Sequence, residues 1–73
     1  MKIPQRQEIW EAPYTKAYVV DVRYGFVMYI QKTGDIYKTL EMPEDNFADL
    51  FSFKSNSMHD VADLFKESDS EKV

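Results

Sequence analysis

The chain has 73 residues, a net charge of −4 and no cysteine, which limits it to one domain and excludes disulfides and thiolate-held metals. A domain of this size buries only about 60% of the surface its unfolded chain exposes, so its core is thin; an aromatic content of 15% suits such a core, because aromatic side chains bury the most area per residue. The opening Met1-Lys2-Ile3-Pro4-Gln5-Arg6 leads into no apolar run, and no stretch nears the roughly 18 apolar residues that cross a bilayer. Neither a leader peptide nor a membrane contact is therefore expected, and the cytoplasm is the expected location.

Residues 1–15 are expected to form an N-terminal arm, because Pro4 and Pro13 each disfavour helix at the residue before them. Lys16 to Arg23 is rich in β-branched and aromatic residues, with Tyr18, Val20 and Val22 alternating onto one apolar face. Tyr24-Gly25 offers a tight turn. Phe26 to Gln31 is apolar almost throughout and reads as a central strand. Lys32-Thr33-Gly34-Asp35 is a second turn, and Ile36 to Leu40 a third strand.

Pro43 then opens a helix, where its missing amide costs nothing. Glu44 and Asp45 occupy the first turn, favoured there by the helix dipole, and Phe47, Leu50 and Phe51 form an apolar stripe. Ser52 to Asn56 breaks the pattern. Ser57 and Asp60 then form a short-armed capping box for a second helix, with Met58, Val61, Ala62 and Phe65 on its apolar side. Residues 67–73 are charged and small and read as a flexible acidic tail. The expected fold for residues 16–66 is α+β: a three-stranded antiparallel meander packed against two short C-terminal helices. Its expected core is Val20, Val22, Met28, Ile30, Leu40, Phe47, Leu50, Phe51, Val61 and Phe65.

Catalysis finds little footing. There is one histidine, His59, and no nucleophile elbow, and Gly25 and Gly34 are isolated turn residues, so no loop cradles a phosphate. His59 and Asp63 share a helix face, but two ligands do not make a metal site. No enzyme activity, cofactor, metal or small-molecule substrate is expected.

Binding is better supported. Residues 1–40 carry six Lys/Arg and four Asp/Glu, whereas residues 41–73 carry three and nine. The acidic half repels nucleic acid and attracts basic protein surfaces. Glu44, Asp45 and Asp49 are candidate contacts on that side, with solvation of a helix face as the plain alternative. In the arm, Arg6, Trp10 and Tyr14 have the composition of an interface hot spot, or else Trp10 folds back to close the core. Tyr14, Tyr18, Tyr24, Tyr29 and Tyr37 interleaved with Lys16, Arg23, Lys32 and Lys38 could stack single-stranded bases, against the overall charge.

Phe47-Ala48-Asp49-Leu50-Phe51 and Val61-Ala62-Asp63-Leu64-Phe65 share Ala-Asp-Leu-Phe. This looks like the bacterial sliding-clamp-binding pentapeptide, except that Phe47 and Val61 stand where its glutamine belongs. Two helices that each bury Leu and Phe give the same letters. In size, charge layout and α+β order the chain resembles the small host-takeover regulators encoded by bacteriophages. That resemblance implies a protein that docks on host RNA polymerase and inhibits or redirects transcription by steric competition. It also admits an acidic DNA mimic that blocks a nucleic-acid enzyme.

Overall fold

The structure, a computed structural model, describes residues 2–65. Five antiparallel strands, β1 (Ile9–Ala12), β2 (Thr15–Arg23), β3 (Phe26–Thr33), β4 (Ile36–Pro43) and β5 (Ser52–Ser55), form one sheet in the order β4-β3-β2-β1-β5. Two helices complete it, α1 (Glu44–Leu50) and α2 (Met58–Leu64). The fold is α+β, but the expected three-stranded meander is only its β2-β3-β4 part. β1 lies in the segment read as an arm, and β5 in the break between the helices. Both are four-residue strands, too short to show a period of their own. The expected acidic tail lies outside the described residues.

Three two-residue turns make the first four strands consecutive neighbours. Pro13-Tyr14 joins β1 to β2 with Tyr14 at φ 65°, the arrangement of a type II turn with proline first. Tyr24 and Gly25 both have positive φ, 53° and 78°, as a type I′ hairpin needs. Gly34 takes φ 61° at the first central position of the last hairpin, where a Cβ would strain the backbone.

A bulge in β2 decides which side chains enter the core. Val19 pairs with Tyr29 and Asp21 with Met28, leaving Val20 as the extra residue. The bulge breaks the alternation that placed Tyr18, Val20 and Val22 together. Ala17 and Val19 are buried instead, and Val22 packs beside them. They meet Trp10 from β1, Val27 and Tyr29 from β3, and Phe47 and Phe51 from α1. The rings of Phe47 and Phe51 stack at 4.6 Å, Trp10 meets Phe47 edge-on at 5.4 Å, and Tyr29 lies 5.0 Å from Phe47. Of the expected core, Phe47 and Phe51 are buried; Val20, Val22, Ile30, Val61 and Phe65 are half-buried; Met28, Leu40 and Leu50 are exposed.

The helices cover opposite faces of the sheet. α1 closes the face of Trp10 and Tyr29. α2 follows a Ser57 cap, whose Oγ accepts the His59 amide at 3.1 Å. The reciprocal half of the expected capping box is replaced, because the Ser57 amide donates to Ser55 Oγ instead. At the end of α2, Phe65 meets Tyr18 edge-on at 5.3 Å and stacks on Tyr37 at 5.8 Å, on the second face. Lys32 Nζ and Tyr37 Oη donate to the Leu64 carbonyl at 3.1 and 3.3 Å.

The N-terminal segment is bound to this frame through Glu8, a buried carboxylate. Its Oε1 accepts from the Gln5 amide at 2.9 Å and from the Trp10 indole N–H at 3.1 Å, and its Oε2 pairs with Lys2 Nζ at 2.9 Å. Lys2 also sits 4.6 Å over the Phe53 ring, and Pro4 is fully buried. Glu8→Ala is expected to cost about 2–3 kcal/mol, since it strands a buried indole N–H and an amide. Glu8→Gln keeps an acceptor for both and is expected to cost less; urea denaturation of the two variants separates these outcomes. Burial also pushes the Tyr29 hydroxyl above its ordinary value. The folded state therefore holds that proton more tightly than the unfolded state. Stability is complete below the ordinary tyrosine value, about 10, and is lost as pH rises through the folded value. Tyr29→Phe is expected to flatten this alkaline decline in urea midpoints.

Candidate functional site

β3 presents apolar side chains to both faces: Val27 and Tyr29 to the first, Phe26, Met28 and Ile30 to the second. Each face needs a cover, and each helix has only seven residues. On the second face α2 reaches Tyr18, Lys32 and Tyr37, at one end of the strands. The other end is open. There Phe26 and Met28 are 45% and 41% exposed, and Tyr24 stands 95% exposed at the turn.

These residues line a shallow depression of about 180 Å³ together with Asp21, Arg23 and Glu41. The floor is apolar and the rim charged. Asp21 organises the rim: one oxygen takes Arg23 Nε at 2.8 Å, and the other takes its neighbour's amide, Val22 N–H, at 2.9 Å. Arg6 Nε lies 3.9 Å from that second oxygen. Glu41 sits directly across from Met28. The bulge at Val20 creates this geometry, because it turns Asp21 to the Met28 side of the sheet and Val22 to the core.

The depression is smaller than the roughly 300–1,000 Å³ of small-molecule pockets. It carries no nucleophile paired with a base. His59 is elsewhere, on exposed α2, with Nε2 3.5 Å from Asp63 Oδ2. Among the described residues no three His, Cys, Asp or Glu side chains converge to hold a metal. The floor of the depression is aromatic and thioether with Arg23 at the edge, residue types enriched at protein interfaces.

The structure divides the six candidate residues. Arg6 does not line the depression but approaches its rim residue Asp21, Nε to Oδ1 at 3.9 Å. Trp10 is 3% exposed and belongs to the core, the alternative already open in its sequence. Tyr14 is fully exposed, but at the turn preceding β2, the far end of the sheet from the depression. Asp45 and Asp49 are exposed on α1, and Glu44 is half-buried, its amide donating to the Gly25 carbonyl at 2.9 Å. The first turn of α1 therefore adjoins the Tyr24-Gly25 turn from the opposite face. Tyr24, Phe26 and Met28 were not among the sequence candidates; the signal for them is the two-sided apolar alternation of β3.

The repeated Ala-Asp-Leu-Phe segments are structural and unequal. Phe51 and Leu64 are buried, while Leu50 is exposed, so neither copy is free to bind as an extended peptide.

Comparison with known proteins found no family model, no curated protein and no solved structure that matches the chain.

If the floor of the depression is surface rather than core, Phe26→Ala and Met28→Ala are each expected to change stability by less than about 1 kcal/mol, against about 3–5 kcal/mol for Phe47→Ala. Thermal or urea unfolding of the three variants decides it.

Proposed function

We propose that the protein is a non-catalytic regulator that docks on another protein through the open end of the second sheet face. Tyr24, Phe26 and Met28 supply apolar contact, and Arg6 and Arg23 supply directional hydrogen bonds. The observation that carries this reading is the exposure of Phe26 and Met28 side by side on a central strand. Each is a little under half exposed, so a cover would recover about 1 kcal/mol apiece of the roughly 1.5–3 kcal/mol that full burial of such a side chain is worth. The acidic first turn of α1 meets the same hairpin from the opposite face, where its charge would steer a basic partner toward this end of the sheet.

The partner we propose is bacterial RNA polymerase, engaged sterically: the bound protein occupies a surface that another factor needs. This rests on the phage-regulator resemblance of size and charge layout, with the docking surface as its physical counterpart. No helix among the described residues is long and apolar enough to cross a membrane.

The geometry favours this reading over two others. A single-strand nucleic-acid platform needs coplanar exposed rings, yet Tyr29 is buried, Tyr18 and Tyr37 are engaged by Phe65, and Tyr14 and Tyr24 stand at opposite ends. A DNA mimic needs one row of carboxylates, yet those of α1 and α2 lie on opposite faces of the sheet.

Binding of the full chain to purified polymerase core and holoenzyme tests the proposal. The double variant F26A/M28A is expected to weaken binding at least about tenfold, the loss of roughly 1.4 kcal/mol of contact. D45K/D49K is expected to reduce the salt dependence of the association rate. Absence of binding at about 10 μM, or equal binding by F26A/M28A, rejects the polymerase assignment or the surface respectively.

A further inference from the structure

β4 is an edge strand of eight residues, and among the described residues nothing pairs with its outer side. The other edge, β5, has four residues. Short edges protect themselves; long ones present a template for another strand.

Hairpin geometry tells which groups of β4 are free. The two-residue turn Gly34-Asp35 closes on the pair Thr33 and Ile36, a hydrogen-bonded pair in such hairpins. Bonded and non-bonded pairs then alternate along the ladder. Ile36, Lys38, Leu40 and Met42 direct their backbone groups to β3. Tyr37, Thr39 and Glu41 direct theirs outward. Pro43, the next outward position, has a carbonyl but no N–H. Its place opposite Phe26 is the non-bonded kind, as this alternation requires.

The geometry points to a second copy of this chain as the occupant of that edge, paired β4 to β4 across a two-fold axis normal to the sheet. Such an axis keeps like faces together, so paired residue numbers must sum to an even value. A sum of 76 sets Lys38 against Lys38 of the other copy and Asp35 against Glu41, both like-charge pairs that destabilise a sheet. A sum of 80 sets Tyr37 against Pro43; it also forms six bonds, but the missing amide leaves the Tyr37 carbonyl of each copy without a donor. A sum of 82 sets Glu41 against Glu41. The sum of 78 has none of these faults. It places Thr39 against Thr39 and Tyr37 against Glu41, so both the N–H and the carbonyl of Tyr37, Thr39 and Glu41 are paired, six bonds with none of these three residues left half-satisfied.

The side chains agree with this register. Ile36, 63% exposed, comes opposite Met42, and Leu40, 38% exposed, comes opposite Lys38, whose alkyl stem can lie along it. Thr–Thr is a favourable cross-strand pair. The contact is a strand pair with a thin apolar rim, below the roughly 1,200 Å² of stable interfaces, so the association is transient and concentration-dependent.

Sedimentation equilibrium of the full chain is expected to show a mass rising from 8.6 kDa toward twice that value between about 10 μM and about 1 mM. Thr39→Pro removes only an outward N–H, leaves pairing with β3 intact, and is expected to abolish the rise with an unchanged circular dichroism spectrum. Thr39→Cys introduces the only cysteine and is expected to form a disulfide-linked dimer on mild oxidation. Asp35→Cys, whose copies stand about 27 Å apart at strand rise, is expected not to. Amides of Tyr37, Thr39 and Glu41 are expected to gain exchange protection with concentration in the unmodified chain, which keeps the test decisive should Thr39→Pro fail to fold. A mass that stays at the monomer value at about 1 mM overturns the proposal. So does a dimer that Thr39→Pro leaves intact, or one in which Asp35→Cys links as fast as Thr39→Cys.

Discussion

The fold depends on a stack of four rings. Trp10, Tyr29, Phe47 and Phe51 come from β1, β3, α1 and the residue after α1, and they touch within 4.6–5.7 Å. α1 is only seven residues long. A helix that short is not stable in water by itself, because nucleation is unfavourable and few turns follow it. Phe47 and Phe51, one turn apart, hold it to the sheet. Trp10 does the same for β1, and through its indole N–H it fixes Glu8, which fixes Lys2 and the Gln5 amide. One aromatic cluster thus secures both chain segments that flank the central meander.

That arrangement leaves a shortage on the other side. The helices of the described residues close one face and part of the second. α2 closes the part nearest Tyr18 and Tyr37, where a lysine and a tyrosine hydroxyl both reach its last carbonyl. The uncovered part falls at the Arg23–Phe26 hairpin. The bulge at Val20 adds to the effect: it turns Val22 inward to complete the core and leaves Asp21 outward to bind Arg23 and Arg6. The same local irregularity serves packing on one face and builds the charged rim of the depression on the other.

Much of this was legible in the residues. The three strands of the β2-β3-β4 meander, both helices, the two turns of that meander and the buried pair Phe47 and Phe51 follow from β-branching, glycine placement and helical spacing. Two features were not. β1 and β5 have four residues each, and a strand that short is specified by its neighbours: Ile9–Ala12 by β2 across the Pro13-Tyr14 turn, Ser52–Ser55 by β1 alone. The bulge was invisible as well, because Lys16 to Arg23 alternates cleanly as written, and only pairing with Tyr29 and Met28 reveals an extra residue. Its consequence was a reversed face for half of β2, which set Asp21 rather than a valine opposite Met28. The split charge suggested an acidic surface, but charge alone could not show that α1 and α2 would stand on opposite faces.

The two unfilled surfaces differ in what they can recognise. The open face around Met28 offers side chains, so selectivity there would come from shape and from the charged groups beside it, Asp21, Arg23 and Glu41. The β4 edge offers backbone, and backbone hydrogen bonds read no sequence. Selectivity there must come from register, and register on β4 is constrained by Lys38, Glu41 and Pro43. These are the residue types that guard sheet edges against indiscriminate pairing. On this strand Lys38 and Glu41 disfavour the alignments that set like charges together, and Pro43 leaves a carbonyl unpaired in the alignment centred on Leu40, so the one centred on Thr39 is the best satisfied. An edge guarded in that way resists foreign strands and still accepts its own copy. Because β4 lies beside β3 on the same sheet, two copies joined there would set their Met28 depressions on one continuous face. A monovalent docking surface would become a bivalent one, and weak self-association would raise the apparent affinity for any partner that presents two sites.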